Sequence, residues 1–406
     1  MAGPLPIGEP VPDSGELPKQ ALIGRDLRTL HAYVHIPFCR VRCGYCDFNT
    51  YTATELSGVK QSDFVDVLIK EIALSKAITS DDRPFQTVFF GGGTPTQLPA
   101  ADLVRALDAL RQSFGLASGA EITTEANPDN VDEQYLETLA AGGFNRISFG
   151  MQSAVPSVLA TLERSHQPEN VPTAVSAAKS VGLSTSVDLI YGAPGETLEE
   201  WQTSLTAAVE MQPDHISAYS LIVEDGTKLA RQIRSGELIE PDEDLQADKY
   251  ELADQILSEA GFSWYEVSNW STTDSTASLH NKAYWRGQDW WGYGPGAHSH
   301  FGGVRWWNAK HPSAYSSRLN EGNSPALGRE VLDQATRDAE RILLEIRISD
   351  GLELDLVKQI NPNSPKLVSQ FIADGLIDGP LALRGRLVLT LKGRLLADSL
   401  VRQILE

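Results

Sequence analysis

An α/β fold built on a parallel sheet is what the 406-residue sequence predicts. Two patterns predict it. Six short β-rich runs alternate with helical patterns between residues 32 and 221, and chemistry-bearing residues recur at or just after the ends of those runs. Strands that alternate with helices need right-handed crossovers, and crossovers of that kind leave the strands parallel. Six such units exceed half of a doubly wound nucleotide-binding sheet and fall short of a closed eightfold barrel.

Taken in order, residues 1–28 carry Pro4, Pro6, Pro10, Pro12 and Pro18 among small polar residues and read as a disordered arm. The predicted strands are 32–36, 86–90 (QTVFF), 121–125 (EITTE), 145–150 (NRISFG), 184–191 (STSVDLIY) and 214–221 (DHISAYSL). Helical patterns lie between them at 61–76, 100–114, 132–141, 169–181 and 197–211. The chain therefore divides into a core over 29–245, an aromatic-rich extension over 246–330 and a C-terminal α+β domain over 331–406. In the last, 334–347 and 354–375 read as helices, 381–390 (LALRGRLVLT) as a hairpin around Gly385, and 392–405 as a final helix. That order is like a winged helix. Residues 334–406 hold ten Lys/Arg and ten Asp/Glu, so there is no basic stripe for DNA and the domain reads as a packing or docking module.

The charge balance excludes further classes. Lys+Arg number 34 against 54 Asp+Glu, a net charge of −20 that repels phosphate backbones, so no nucleic-acid partner is expected. No apolar run approaches the ~18 residues of a spanning helix. The N-terminus lacks a basic start and an apolar core, so no secretory signal is read and a cytoplasmic location is expected.

The only cysteines, Cys39, Cys43 and Cys46, fall within eight residues directly after the first predicted strand. An odd number so close together is no disulfide framework. Structural zinc wants four ligands, and no second cysteine pair exists; His35 lies inside the strand-like run AYVHIPF. Three thiolates in CxxxCxxC suit a four-iron cluster with one iron left open for a small molecule. GGGTP at 91–95 follows the second strand, where glycines let backbone approach a ligand and Thr94 adds a hydroxyl. Asp188 sits inside the apolar run VDLIYG, where an unpaired carboxylate is costly, and is expected to face a polar pocket.

A second constellation lies downstream. Seven of the eight tryptophans fall between Trp264 and Trp307, with Tyr265, Tyr284, Tyr293, Phe301 and three histidines, His280, His298 and His300. Aromatic faces suit a flat macrocycle and imidazole is a common axial ligand, although such clusters are more often plain core. Without CxxCH there is no thioether-linked heme. The polar run STTDSTAS before His280 reads as a flexible loop.

YVHIPFCxxxCxYCDF at 33–48, GGGTPT at 91–96, EANPD at 125–129, RISFGMQS at 146–153 and DLIYGAPGET at 188–197 resemble the radical S-adenosylmethionine (SAM) proteins of the oxygen-independent coproporphyrinogen III oxidase group. The resemblance implies a partial (β/α)6 barrel in which Cys39, Cys43 and Cys46 hold a 4Fe-4S cluster. It implies that Tyr33, Gly92, Gly93, Thr94, Glu125, Gln152, Arg164 and Asp188 line the S-adenosylmethionine pocket, with Tyr45 shielding the adenine. Two features favour one branch. The oxidases resemble CxxxCxxCxC, whereas Phe48 stands at the fourth position here, which argues against oxidase activity. HNKAYW at 280–285 matches the HNxxYW motif of HemW-type heme chaperones. That branch implies heme binding and transfer to acceptor proteins, with His280 as axial ligand, Tyr284 and Trp285 packed on the ring and Asn281 orienting the imidazole or backbone nearby. His298 and His300 are secondary candidates, with GYGPGAHSH as an alternative cap on the S-adenosylmethionine pocket. The competing expectation is a radical SAM oxidoreductase that decarboxylates a porphyrinogen. A homodimer is expected from the resemblance alone, and peripheral membrane contact is left open.

Overall fold

The computed structural model describes residues 8–56 and 59–406. The first half alternates as the sequence predicts. β1 (Glu9–Pro10) and β2 (Leu30–Ile36) lead to α1 (Phe64–Thr79), β3 (Phe85–Gly92), α2 (Ala100–Phe114), β4 (Leu116–Ala126) and α3 (Glu133–Gly142). Then come β5 (Arg146–Gln152), α4 (Pro156–Thr161), α5 (Asn170–Ser180), β6 (Ser184–Tyr191), α6 (Leu198–Glu210) and β7 (His215–Ser220). Each of the six predicted strands is present. α7 (Lys228–Arg234) and α8 (Glu243–Glu259) precede β8 (Ser263–Glu266), β9 (Asn269–Ser271), α9 (Leu279–Trp285), β10 (Asp289–Tyr293), β11 (His298–Phe301) and β12 (Val304–Asn308). α10 (Pro312–Asn320) and β13 (Ala326–Val331) complete the sheet.

These strands form one 13-stranded sheet in the order β1-β13-β12-β11-β10-β2-β3-β4-β5-β6-β7-β9-β8. The run from β10 through β2 to β7 is parallel, and the outer strands on both sides are antiparallel. The stretch 246–330 is thus no separate body: it supplies strands to both edges of the core sheet. Along β5, β6 and β7 the side chains alternate with period two. Ile147, Phe149, Val187, Leu189, Ile216 and Ala218 join the apolar core, which also takes in Leu136, Val175, Trp201 and Leu205 of the helices. Ser148, Gln152, Ser186, Asp188, His215 and Ser217 point the other way, into a polar lumen. Apolar outside and polar inside is the reverse of a filled barrel, and it makes room for a ligand.

Two expectations are corrected. Residues 8–28 are not a loose arm. Glu9 and Pro10 pair with Arg329 and Gly328 at the sheet edge, Ala21 is fully buried, and the Ser324 N–H donates to the Asp13 carbonyl at 2.7 Å. Proline is tolerated there because an edge strand needs few donors, and the partner lies some 300 residues away. Residues 1–7 of that arm lie outside the described residues. In the C-terminal region α11 (Gln334–Glu345), β14 (Leu352–Glu353), α12 (Leu354–Ile360) and α13 (Ser364–Ala373) are followed by α14 (Gly379–Leu383), β15 (Arg386–Leu387), α15 (Leu391–Leu395) and α16 (Ala397–Leu405). The predicted hairpin over 381–390 is a helix and a short strand, and β15 pairs with β14 instead. Pro380 at the first turn of α14 and the Asp378 side chain, accepting from Leu381 N, start a helix that the β-rich composition conceals. These elements share a core of their own around Ile342, Phe371, Leu387 and Val401. Among the described residues no helix is long and apolar enough to cross a membrane.

β10 is clamped to β2 by charge. Asp289, fully buried, accepts from Arg28 Nε at 2.7 Å, Gly302 N at 2.9 Å and Arg83 Nη1 at 3.0 Å. Arg83 also donates to the Arg25 and Arg28 carbonyls at 2.7 and 2.8 Å. Removing one partner of a buried ion pair strands the others, so Asp289→Ala is expected to cost about 3–5 kcal/mol in urea unfolding. The exposed Glu9–Arg329 pair is the control: Glu9→Ala is expected to shift stability by about 1 kcal/mol or less.

Candidate functional site

The lumen opens into a cavity of about 460 Å³ whose lining includes all three cysteines. The cysteine loop is stitched to the end of the barrel by backbone: Cys39 N donates to Tyr51 O at 3.1 Å, Gly93 N to Ile36 O and Thr94 N to Phe38 O, both at 2.8 Å. Gly93 must be glycine, since a Cβ there would sit 2.6 Å from Phe38 O and 3.1 Å from Cys39 Sγ. Gly92 has φ +105°, and its Cβ would meet the His35 ring at 2.5 Å. Thr94 Oγ1 stands 3.9 Å from Cys39 Sγ.

The cysteine set suits a cluster on its own chemistry. All three thiols are free and only partly buried. Burial pushes Cys39 up, against the opposing pull of Arg164, and pushes Cys46 up to about 12. Arg164 brings a guanidinium within 3.7 Å of Cys43 Sγ, is held by the Gly150 carbonyl at 2.9 Å, and keeps its Nε buried without a partner. Among the described residues no three His, Cys, Asp or Glu side chains gather around a single-ion position. Bound by Cys39, Cys43 and Cys46, a 4Fe-4S cluster would supply redox chemistry and one iron open to a chelating ligand.

The opposite wall is acidic. Glu125 accepts from Gly92 N at 3.2 Å, and Asp188 accepts from Ser148 Oγ at 2.8 Å. Burial, with the Asp188 charge nearby, raises Glu125 to about 8, and burial raises Asp188 as well. A cationic ligand between them would restore their ionised forms. Tyr33 and Tyr45 line the same cavity, so every residue expected in the S-adenosylmethionine pocket reaches it. Gln152 does so in a left-handed conformation, φ +63°, where the β5–β6 register shifts.

α9, which carries HNKAYW, packs against the early part of β3 and β4, away from the strand ends that carry the cysteine loop, and contributes His280, Asn281 and Tyr284 to the cavity lining. Residues not singled out in the sequence hold it there. Glu121 of β4 accepts from Leu279 N at 2.9 Å and His280 N at 3.0 Å, a carboxylate on the open N–H groups of a helix start. Thr87 Oγ1 bonds His280 Nδ1 at 2.6 Å, and Phe89 stacks on the imidazole at 5.1 Å. The strand parity shared by Glu121 and Glu125, Thr87 and Phe89 was the available signal.

Several expectations change. His280 is 2% exposed with both nitrogens engaged, Nε2 by the Tyr284 hydroxyl at 2.9 Å, so an iron bond there would require that hydroxyl to leave. Trp285 lines neither this cavity nor the second one, and its indole nitrogen is buried. Trp270, Trp291, Trp306 and Trp307 are core residues, each at most 5% exposed, so most of the aromatic cluster is packing. His298 and His300 line a separate cavity of about 720 Å³ and do not cap the first. Of the two roles expected for Asn281, contact with the imidazole is not seen: its side chain donates to Glu266 Oε1 at 3.0 Å.

Gln152 is a test of strain held for a ligand. Gln152→Gly removes a backbone cost of about 1 kcal/mol, so the apo variant is expected to unfold at higher urea. Binding of S-adenosylmethionine to the cluster-loaded variant, read by calorimetry, is expected to weaken.

Residues 33–208 match the family model described as Radical SAM superfamily, which carries a 4Fe-4S cluster and S-adenosylmethionine. The protein named Heme chaperone HemW of Mycobacterium tuberculosis is 45% identical over 92% of this chain and 94% of its own length. Heme chaperone HemW of Bacillus subtilis is 31% identical, over 84% of this chain and 86% of its own. Among solved structures, coproporphyrinogen III oxidase (HemN) from Escherichia coli aligns with a TM-score of 0.80 and 26% identity, over 95% of this chain and 92% of that one. The oxidase-like architecture, the cysteine loop and HNKAYW thus occur together with HemW likeness along nearly the whole chain, and the chain belongs to the HemW heme chaperone family within the radical SAM superfamily.

Proposed function

We propose that the protein is a heme chaperone: it binds heme and passes it to acceptor proteins, on a radical SAM scaffold that keeps its cluster and S-adenosylmethionine pocket. The observation that carries this reading is the near full-length likeness to proteins named heme chaperones, together with HNKAYW residues in the cavity lining. Phe48 supports it. The side chain is 59% exposed, so this position spends a large apolar surface at the cavity rim. Exposed aromatics suit capture of a flat hydrophobic ligand that must later leave. The partners are heme and apo-heme proteins, and the location is cytoplasmic. A homodimer and contact with a membrane-bound acceptor belong to the same reading.

The test uses anaerobically cluster-loaded protein. Hemin titration is expected to give a saturating one-to-one Soret band, and apomyoglobin is expected to withdraw that heme on mixing. Coproporphyrinogen III, supplied with S-adenosylmethionine and reductant, is expected to release no carbon dioxide. Turnover of the porphyrinogen without hemin binding would replace this reading with the oxidoreductase.

A further inference from the structure

The second cavity, about 720 Å³, falls within the range of small-ligand sites and lies outside the barrel. Its floor is one face of the β10–β11–β12 sheet. Trp290 pairs with His300, and His300 with Arg305. Ser299 and Phe301, between and beyond the histidines, are 1% exposed and face the core, so His298 and His300 share the cavity side. Leu343 and Leu344 of α11 form the opposite wall. Tyr33, Phe48 and Tyr284 line both this cavity and the cysteine cavity and form the partition between them.

The site has large exposed apolar groups with nothing on them. Phe48 is 59% and Leu343 39% exposed, beside the Trp290 ring. Trp290 is fixed edge-on to Tyr284 at 4.7 Å and against His300 at 4.8 Å, and its Nε1 donates to the His298 carbonyl at 3.2 Å. A slot with an aromatic floor and aliphatic walls selects a flat, rigid ligand.

Histidine bonding then separates the candidate ligands. His35 has Nδ1 on the Tyr33 hydroxyl at 3.0 Å and Nε2 on Asn49 O at 2.9 Å. His300 has Nδ1 on Gln288 O at 3.0 Å, while Gly303 N donates to its Nε2 at 3.1 Å. His280 is engaged at both nitrogens, as described. Among the described residues no group hydrogen-bonds either ring nitrogen of His298, a residue that reaches the surface while one side of its ring leans toward Trp307 at 6.0 Å. Partial burial, with Lys310 and Arg305 nearby, lowers its affinity for a proton and favours the neutral form, the one that binds a metal. The charges are nearly balanced: Arg305 is paired with Glu330 and Glu340, and Asp47 lies near Lys310. Ring stacking and an iron–nitrogen bond would carry recognition, with carboxylates left toward solvent.

We propose that this outer cavity is the heme seat and that His298 is the axial ligand to the iron, an inference that rests on the heme reading above. His280 is then a positioning residue: its bond to the Tyr284 hydroxyl sets the partition that forms one side of the seat.

The experiment is a hemin titration of the full chain, followed in the Soret band and by resonance Raman, for wild type, His298→Ala, His280→Ala and Tyr284→Phe. His298→Ala is expected to lose the histidine-ligated spectrum and weaken binding roughly tenfold or more. Added imidazole is expected to restore that spectrum, which a misfolded variant would not allow. His280→Ala and Tyr284→Phe are expected to keep histidine ligation and lose affinity by similar, smaller factors. An unchanged spectrum in His298→Ala, with wild type binding hemin, overturns the inference and leaves the heme reading standing. Loss of histidine ligation in His280→Ala alone also overturns it. Absence of binding in wild type removes both.

Discussion

β10 lies parallel beside β2 because Asp289 is buried between Arg28 and Arg83, and both cavities depend on that pairing. α9 runs directly into β10, so the position of β10 sets where HNKAYW meets the barrel. β11 and β12 extend from its other side and form the floor of the outer cavity. A buried carboxylate with three donors is costly to desolvate, and its value is specificity: a shifted register would leave the charge unpaired. One ion network therefore holds the cysteine chamber and the outer chamber side by side, with Tyr33, Phe48 and Tyr284 between them.

The polar lumen presents a second constraint. Glu125, Asp188, Arg146 and His215 face a cavity from strands whose other faces are mostly apolar. The protein tolerates this because hydroxyls satisfy part of the cost. Ser148 donates to Asp188, and Ser186 Oγ lies 2.8 Å from His215 Nδ1. What remains unsatisfied, including Thr123 Oγ1 and Arg164 Nε, points to a ligand that completes the set.

The parallel sheet and the cysteine site were legible because their signals are local. β-rich runs alternate with helices at short range, and Cys39, Cys43 and Cys46 share one loop. Residues whose role depends on distant partners were not. Glu121 looks like an ordinary strand carboxylate until α9, 158 residues later, places Leu279 N on it. The STTDSTAS run reads as flexible by composition, yet Thr273 and Thr276 close a turn through their hydroxyls and Arg146 donates to Thr276 O at 2.7 Å. The tryptophans could not be sorted by sequence either, since core and cavity positions in β10 differ only by one residue: Trp291 is buried and Trp290 lines the outer cavity.

The β2–β10 pairing also has a consequence in time. About 250 residues separate the two strands, which at ribosomal rates is roughly 10–50 s of synthesis. Through that interval β2 offers an open edge, the kind of surface that recruits foreign strands. The cysteine loop, by contrast, has emerged along with β3 to β7 before α9 is made. The nascent chain thus passes through a stage in which the iron–sulfur ligands and the strands that position them are already present while β2 still lacks its second neighbour.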